Sequence, residues 1–118
     1  MNYDEIFERM LDGESITNEE WEFILSEVQK KLERKEVIRA QEITEVILEC
    51  ADLEYIYGDP ARHGWIDTKI IFTLDSENYY SFDCWWSDDY GIDGVDDQVC
   101  PKMVMKQVMV EQWVEVEG

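Results

Sequence analysis

Residues 68–86 read TKIIFTLDSENYYSFDCWW, and this stretch decides the fold. Between 68 and 74, Ile70, Phe72 and Leu74 alternate with Lys69, Ile71 and Thr73, the period of two that sends successive side chains to opposite faces of a strand. After the polar turn Asp75-Ser76-Glu77-Asn78 the alternation resumes, with Tyr80, Phe82, Cys84 and Trp86 on one face and Tyr79, Ser81, Asp83 and Trp85 on the other. The spacing predicts an antiparallel hairpin.

Working towards the C-terminus, 87–98 (SDDYGIDGVDDQ) reads as a long acidic loop and 103–116 as a last strand. Val104, Val108, Val110, Val114 and Val116 share one face of that strand, and Met103, Met105, Met109 and Trp113 mark the other. Two apolar faces require cover on both sides of the sheet. Helices supply one side; an oligomer or partner, or a small cluster of Trp85, Trp113 and the methionines, supplies the other.

Towards the N-terminus the period changes to that of helices. Tyr3, Ile6, Phe7, Met10 and Leu11 form one stripe, with Asn2 and Glu5 spaced as a capping box and Asp12-Gly13 as a stop. A second start is more explicit: Thr17 and Glu20 complete a capping box, and Ile16 and Trp21 hold the positions of a hydrophobic staple. Trp21, Ile24, Leu25, Val28 and Leu32 then carry the stripe to about residue 35. Glu19, Glu20 and Glu22 lie at the positive end of the helix dipole, and Lys30, Lys31, Arg34 and Lys35 at the negative end. The segment 36–57 permits helix or strand; its β-branched content favours a helix ending near 41 and a strand from 43 to 56, with 58–64 (GDPARHG) as a loop. The expected architecture is α+β: N-terminal helices packed on a small antiparallel sheet of three to four strands. It forms one domain, helical over 1–41 and β over 43–117.

The 118 residues contain 29 acidic and 10 basic side chains, a formal charge of −19, which excludes ordinary binding to nucleic acid through phosphates. With 45% hydrophobic and 13% aromatic residues, the chain carries too much apolar surface for a disordered acidic tail. Five of the bases fall between 30 and 39, so the remainder is more acidic than the average. Such an excess is larger than the net charge of about 2 to 8 that solubility requires. No basic n-region with an apolar core opens the chain, no apolar run reaches the roughly 20 residues of a membrane span, and three cysteines without CxxC spacing suit reduced thiols. A soluble cytoplasmic protein is expected.

Tests for chemistry return little. His63 has no nucleophile motif beside it and reads as a structural or exposed residue. Cys50, Cys84, Cys100 and His63 make a formal four-ligand set without the short paired spacing of a zinc site. The segment 89–100 matches a calcium loop at Asp89, Asp93, Gly94 and Asp97 but lacks the acidic residue at position three and the bidentate Glu at twelve. The reading is therefore no catalytic residues, no metal and no cofactor. Asp88, Asp89, Asp93, Asp96 and Asp97 are the candidate anionic contacts, with Tyr90, Trp85 and Trp86 as aromatic anchors, since interface hot spots favour Tyr and Trp.

The runs RHGWIDTKIIFTLDSENYYSFDCWWSDDYG (62–91) and VCPKMVMKQVMVEQWVEVEG (99–118), joined by the acidic connection, resemble small acidic phage and mobile-element proteins of the anti-CRISPR kind. The resemblance covers about half the chain, over 62–117. It implies a non-catalytic inhibitor that mimics DNA and occupies the basic nucleic-acid-binding surface of a Cas nuclease or another defence nuclease. Two other readings fit the same composition: an immunity or antitoxin-like protein that neutralises a basic toxin nuclease, and a self-associating phage structural or regulatory protein, here a homodimer.

Overall fold

The computed structural model describes residues 1–49, 52–60, 64–107 and 111–116. Cys50, Arg62, His63, Val108, Met109 and Val110, and the readings placed on them, lie outside the described residues.

The predicted hairpin forms. Strands β3 (Ile66–Thr73) and β4 (Tyr79–Ser87) pair antiparallel from Ile66 opposite Trp86 to Thr73 opposite Tyr79. Their turn is held by Asp75, whose Oδ1 accepts from the amides of Glu77 and Asn78 at 2.9 and 2.8 Å and whose Oδ2 accepts from the Asn78 side chain. Partial burial raises the Asp75 carboxyl, but those donors and the Thr73 hydroxyl outweigh it and hold the group down to about 2.

The two N-terminal helices start where the caps place them. Helix α1 (Tyr3–Leu11) is capped by the Asn2 side chain on the Glu5 amide, and α2 (Asn18–Glu33) by a reciprocal Thr17–Glu20 box. Helix α2 ends earlier than its apolar stripe suggests. The Lys35 amide bonds to the Leu32 carbonyl and the Glu36 amide to the Lys31 carbonyl, a Schellman closure that puts Lys35 at φ 58°.

The segment after α2 departs most from expectation. A short strand β1 (Val37–Ile38) replaces the end of a continuous helix, and α3 (Ala40–Glu45) with a 3-10 turn (Ile47–Glu49) replaces the strand expected from 43. The helical part therefore extends to 49 rather than 41. β-branched Ile43, Val46 and Ile47 do not make a strand here because all three are fully buried in the core as helix and turn residues, and tertiary burial overrides their local preference.

Strand β2 (Leu53–Pro60) takes up Gly58 and Pro60, which the sequence places in a loop. The acidic connection is not loop throughout: β5 (Gly91–Asp93) pairs with β4, and β6 (Gln98–Val99) pairs with β1. The valine-rich tail is two strands, β7 (Lys102–Gln107) and β8 (Glu111–Glu115), paired antiparallel rather than continuous. Among the described residues the main sheet is thus six-stranded, in the order β2-β3-β4-β7-β8 with β5 also on β4, instead of three- or four-stranded.

The helices cover one face of this sheet. Ile6, Phe7, Ile24, Val28 and Leu32 pack with Ile70, Phe72, Tyr80, Phe82 and Cys84. The second face carries Ile71 and Ser81, both only 1% exposed, and the cover comes from the chain itself. In a flat sheet β8 would lie four strand spacings, about 19 Å, from β2. Yet Trp113 of β8 packs on Tyr79 with ring centroids 5.0 Å apart and donates its indole N–H to Glu54 of β2 at 2.6 Å. The sheet curls so that β7 and β8 return over its second face. Met103 is buried there, whereas Met105 on the same side and Val104 and Val116 on the valine side stay exposed.

Candidate functional site

Beyond the reach of Trp113, the second face opens into a groove of about 610 Å³. The hairpin register builds its floor: Asp67 sits opposite Trp85 and Lys69 opposite Asp83, all on the face away from the helices. Ile56 and Gly58 of β2 close one end, and the segment 94–98 closes the other.

That far wall is fixed by Gln98. Its side-chain amide accepts from the Asp83 N–H at 2.8 Å and donates to the Asp83 carbonyl at 3.1 Å, as a neighbouring strand would. It also donates to the Asp96 carbonyl at 3.1 Å, pinning the connection to β4. Gly94, at φ +68°, lies against the indole of Trp85. Trp85 itself remains 48% exposed in the groove.

Four carboxylates line this space, from Asp67, Asp83, Asp96 and Asp97, against one ammonium, Lys69. Lys69 Nζ is 3.7 Å from Asp83 Oδ1, an exposed pair of little net worth. The site is a concave anionic surface with one aromatic plate.

The predicted contact residues divide. Trp85, Asp96 and Asp97 come together in the groove, and Asp93 lies opposite Trp85 in the β4–β5 register. Asp97 has a second task, because its Oδ1 accepts the Ala40 amide at 2.7 Å at the start of α3. Trp86 points to the other face and packs on Tyr57 at 5.2 Å. Asp88, Asp89 and Tyr90 stay exposed at the turn after β4, where Tyr90 stacks on Trp65 at 6.0 Å. Asp67, Lys69, Asp83 and Gln98 were not among the sequence candidates. The first three were within reach of the alternation, since the turn at 75–78 sets 67 opposite 85 and 69 opposite 83; the Gln98 bridge has no local signal.

The remaining titratable groups serve the core. Burial pushes the Cys84 thiol up to about 11 and the Cys100 thiol up to about 12, with the nearby Asp83 charge adding to both, so neither is a thiolate at neutral pH. Among the described residues no group of three or more His, Cys, Asp or Glu is placed to hold a metal ion, and no helix is long and apolar enough to cross a membrane. The chain matches no family model, no curated protein and no solved structure.

Proposed function

We propose that this chain is a non-catalytic inhibitor that sets its acidic groove against the basic nucleic-acid-binding surface of a defence nuclease, in the manner of a DNA mimic. The observation that carries the reading is the uneven use of charge. Residues 50–118 hold 15 acidic side chains and four basic ones, a formal −11, while six of the ten bases lie in the helical part, 1–49, with 14 acids. There Arg9, Lys30, Lys31, Arg34 and Arg39 are all in ion pairs. Among the described residues lining the groove, the carboxylates around Trp85 share one cation, Lys69.

A rigid anionic surface of this kind steers a basic partner into contact, and such association weakens steeply with salt. A Cas nuclease is the first target to try, the one that the resemblance read in the sequence of 62–117 implies. Trp85, in the middle of the carboxylates, is the natural anchor.

The test is capture from host lysate at low and high salt, followed by DNA cleavage by the captured protein. The wild-type chain is compared with Asp67→Lys/Asp83→Lys/Asp96→Lys in the groove and Asp89→Lys/Asp93→Lys/Asp96→Lys in the acidic connection. A salt-sensitive nuclease that the wild type inhibits and the groove variant releases supports the reading. Equal capture by the folded groove variant overturns the site. A captured toxin nuclease would move the protein to the immunity class with the same physics.

A further inference from the structure

Among the described residues strand β2 is paired on one side only. Its one strand neighbour among the described residues is β3, and their register runs without a slip from Leu53 opposite Phe72 to Tyr57 opposite Thr68. The irregularity comes only between Tyr57 and Pro60.

The outer edge of β4 is handled differently. Strand β7 pairs it at Tyr79 and Tyr80, the Pro101 carbonyl takes the Ser81 amide, Gln98 takes both backbone groups of Asp83, and β5 covers 85–87. Along 53–57 of β2 there is no lysine, proline or bulge of the kind that protects an edge. Tyr55, Ile56 and Tyr57 are instead 40%, 37% and 51% exposed. An exposed, largely apolar edge without a strand partner is a template for strand addition.

We propose that the free edge of β2 receives an extended segment of the basic partner as an added strand, in which apolar residues alternate with Arg or Lys. This rests on the anionic-surface reading above and says how the partner docks. Charge complementarity selects the occupant: a second copy would bring its own −11 over residues 50–118 to this edge, whereas a basic segment is attracted to it.

Alternation supplies the rest. Tyr55 and Tyr57 lie on the helix-side face, stacked with ring centroids 6.2 Å apart, and Ile56 and Gly58 lie at the mouth of the groove. An added strand therefore sets every second side chain over the tyrosines and the others beside the groove. At Gly58 no side chain stands in the way, and a Cβ there would come within 3.1 Å of the Asp67 carbonyl oxygen. An Arg or Lys of the added strand passes over this gap to the Asp67 carboxylate. Asp67 lies two strand spacings in, about 10 Å from the added backbone, a span that a long basic side chain and an aspartate bridge together.

The probe is the capped peptide Arg-Val-Arg-Val-Arg-Val, compared with the same peptide N-methylated at every residue, which keeps the charge and side chains but removes the backbone donors towards either edge. The unmodified peptide is expected to bind about tenfold tighter, the worth of two or three net hydrogen bonds, and to slow exchange of alternate amides within 53–57. Asp67→Asn, an exposed substitution, is expected to weaken its binding about threefold without disturbing the amide pattern. Equal binding of the two peptides, or protection that avoids β2, overturns strand addition while leaving the anionic-surface reading in place. If neither peptide binds, both fall.

Discussion

Glu42 and Asp67 carry the same charge in opposite surroundings. Glu42 is fully buried and wrapped by donors: Lys31 Nζ at 2.9 and 3.0 Å, the Arg39 amide and Nε at 3.0 Å each, and the Tyr3 hydroxyl. Asp67 is exposed on a wall where four carboxylates share one lysine. Lys31 and Arg39 are further held over the rings of Tyr3 and Phe7. The helical half spends its bases on its own acids; among the described residues the groove of the sheet half sets four carboxylates against one lysine. Net charge alone does not distinguish a structural carboxylate from one available to a partner, but the count of donors around each does.

The sharpest way to break this comparison is at Glu42. Glu42→Ala leaves two cations and a phenol without their acceptor, and removing one partner of a buried pair costs about 3–5 kcal/mol. Lys31 and Arg39 retain partial access to water, which places the expected loss near about 3 kcal/mol in urea unfolding at neutral pH. A loss below about 1 kcal/mol would mean that the network contributes no more than a surface pair. Acid provides a second reading of the same site. Burial raises the Glu42 carboxyl, but the bonds from Tyr3, Arg39 and Lys31 outweigh it and leave the group below its ordinary value. Its folded value is depressed, so its stabilisation is full above about pH 4.3, the ordinary glutamate value, and disappears as pH falls through the folded value. Asp75, held to about 2, adds a loss of the same sign between about pH 4 and 2. An acid titration of stability that is flat from pH 5 to 2 would contradict both.

The two halves also differ in how far the sequence discloses them. The starts of α1 and α2 and the β3–β4 register follow from local signals: Asn2, the Thr17–Glu20 box, and alternation around the Asp75 turn. The ends of elements and the middle of the chain do not. Lys35 closes α2 in a backbone conformation usually taken by glycine, and Ile43, Val46 and Ile47 take helix and turn geometry because the core buries them. The candidate site splits on the same line. Trp85, Asp93 and Asp96 were legible because they belong to an acidic, aromatic run, and Asp67 and Asp83 were derivable from the register. The wall that makes a groove of them depends on Gln98 bonding to a residue fifteen positions away, and on a curled sheet that brings Trp113 to Glu54; neither leaves a local pattern.

Asp97 straddles the comparison, since it lines the groove and also accepts the Ala40 amide. Asp97→Ala is expected to cost about 1 kcal/mol, the worth of an N-terminal helix acceptor. Asp96→Ala next to it, whose side chain is exposed, should stay within about 0.5 kcal/mol. Thermal or urea unfolding of the pair separates the structural carboxylate from its neighbour. Equal effects would place both on the same side of the divide and remove Asp97 from the cap.

The smallest effect on stability is expected where the effect on binding is largest. In Asp67→Asn/Asp83→Asn, two exposed carboxylates lose charge without losing shape, and the Lys69–Asp83 pair given up is long and wet. Stability should change by no more than about 0.5 kcal/mol, and upwards if relief of repulsion among the groove acids exceeds the lost pair. The same variant should flatten the salt dependence of partner capture, because fewer charges remain to be screened over the Debye length of about 10 Å at 0.1 M salt. A double variant that unfolds easily would show these carboxylates to be structural after all, like Glu42. One that keeps both its stability and the full salt slope would move the contact surface away from the groove to the exposed turn at Asp88 and Asp89. Only stability retained with the slope reduced fits a site whose acids answer to another molecule.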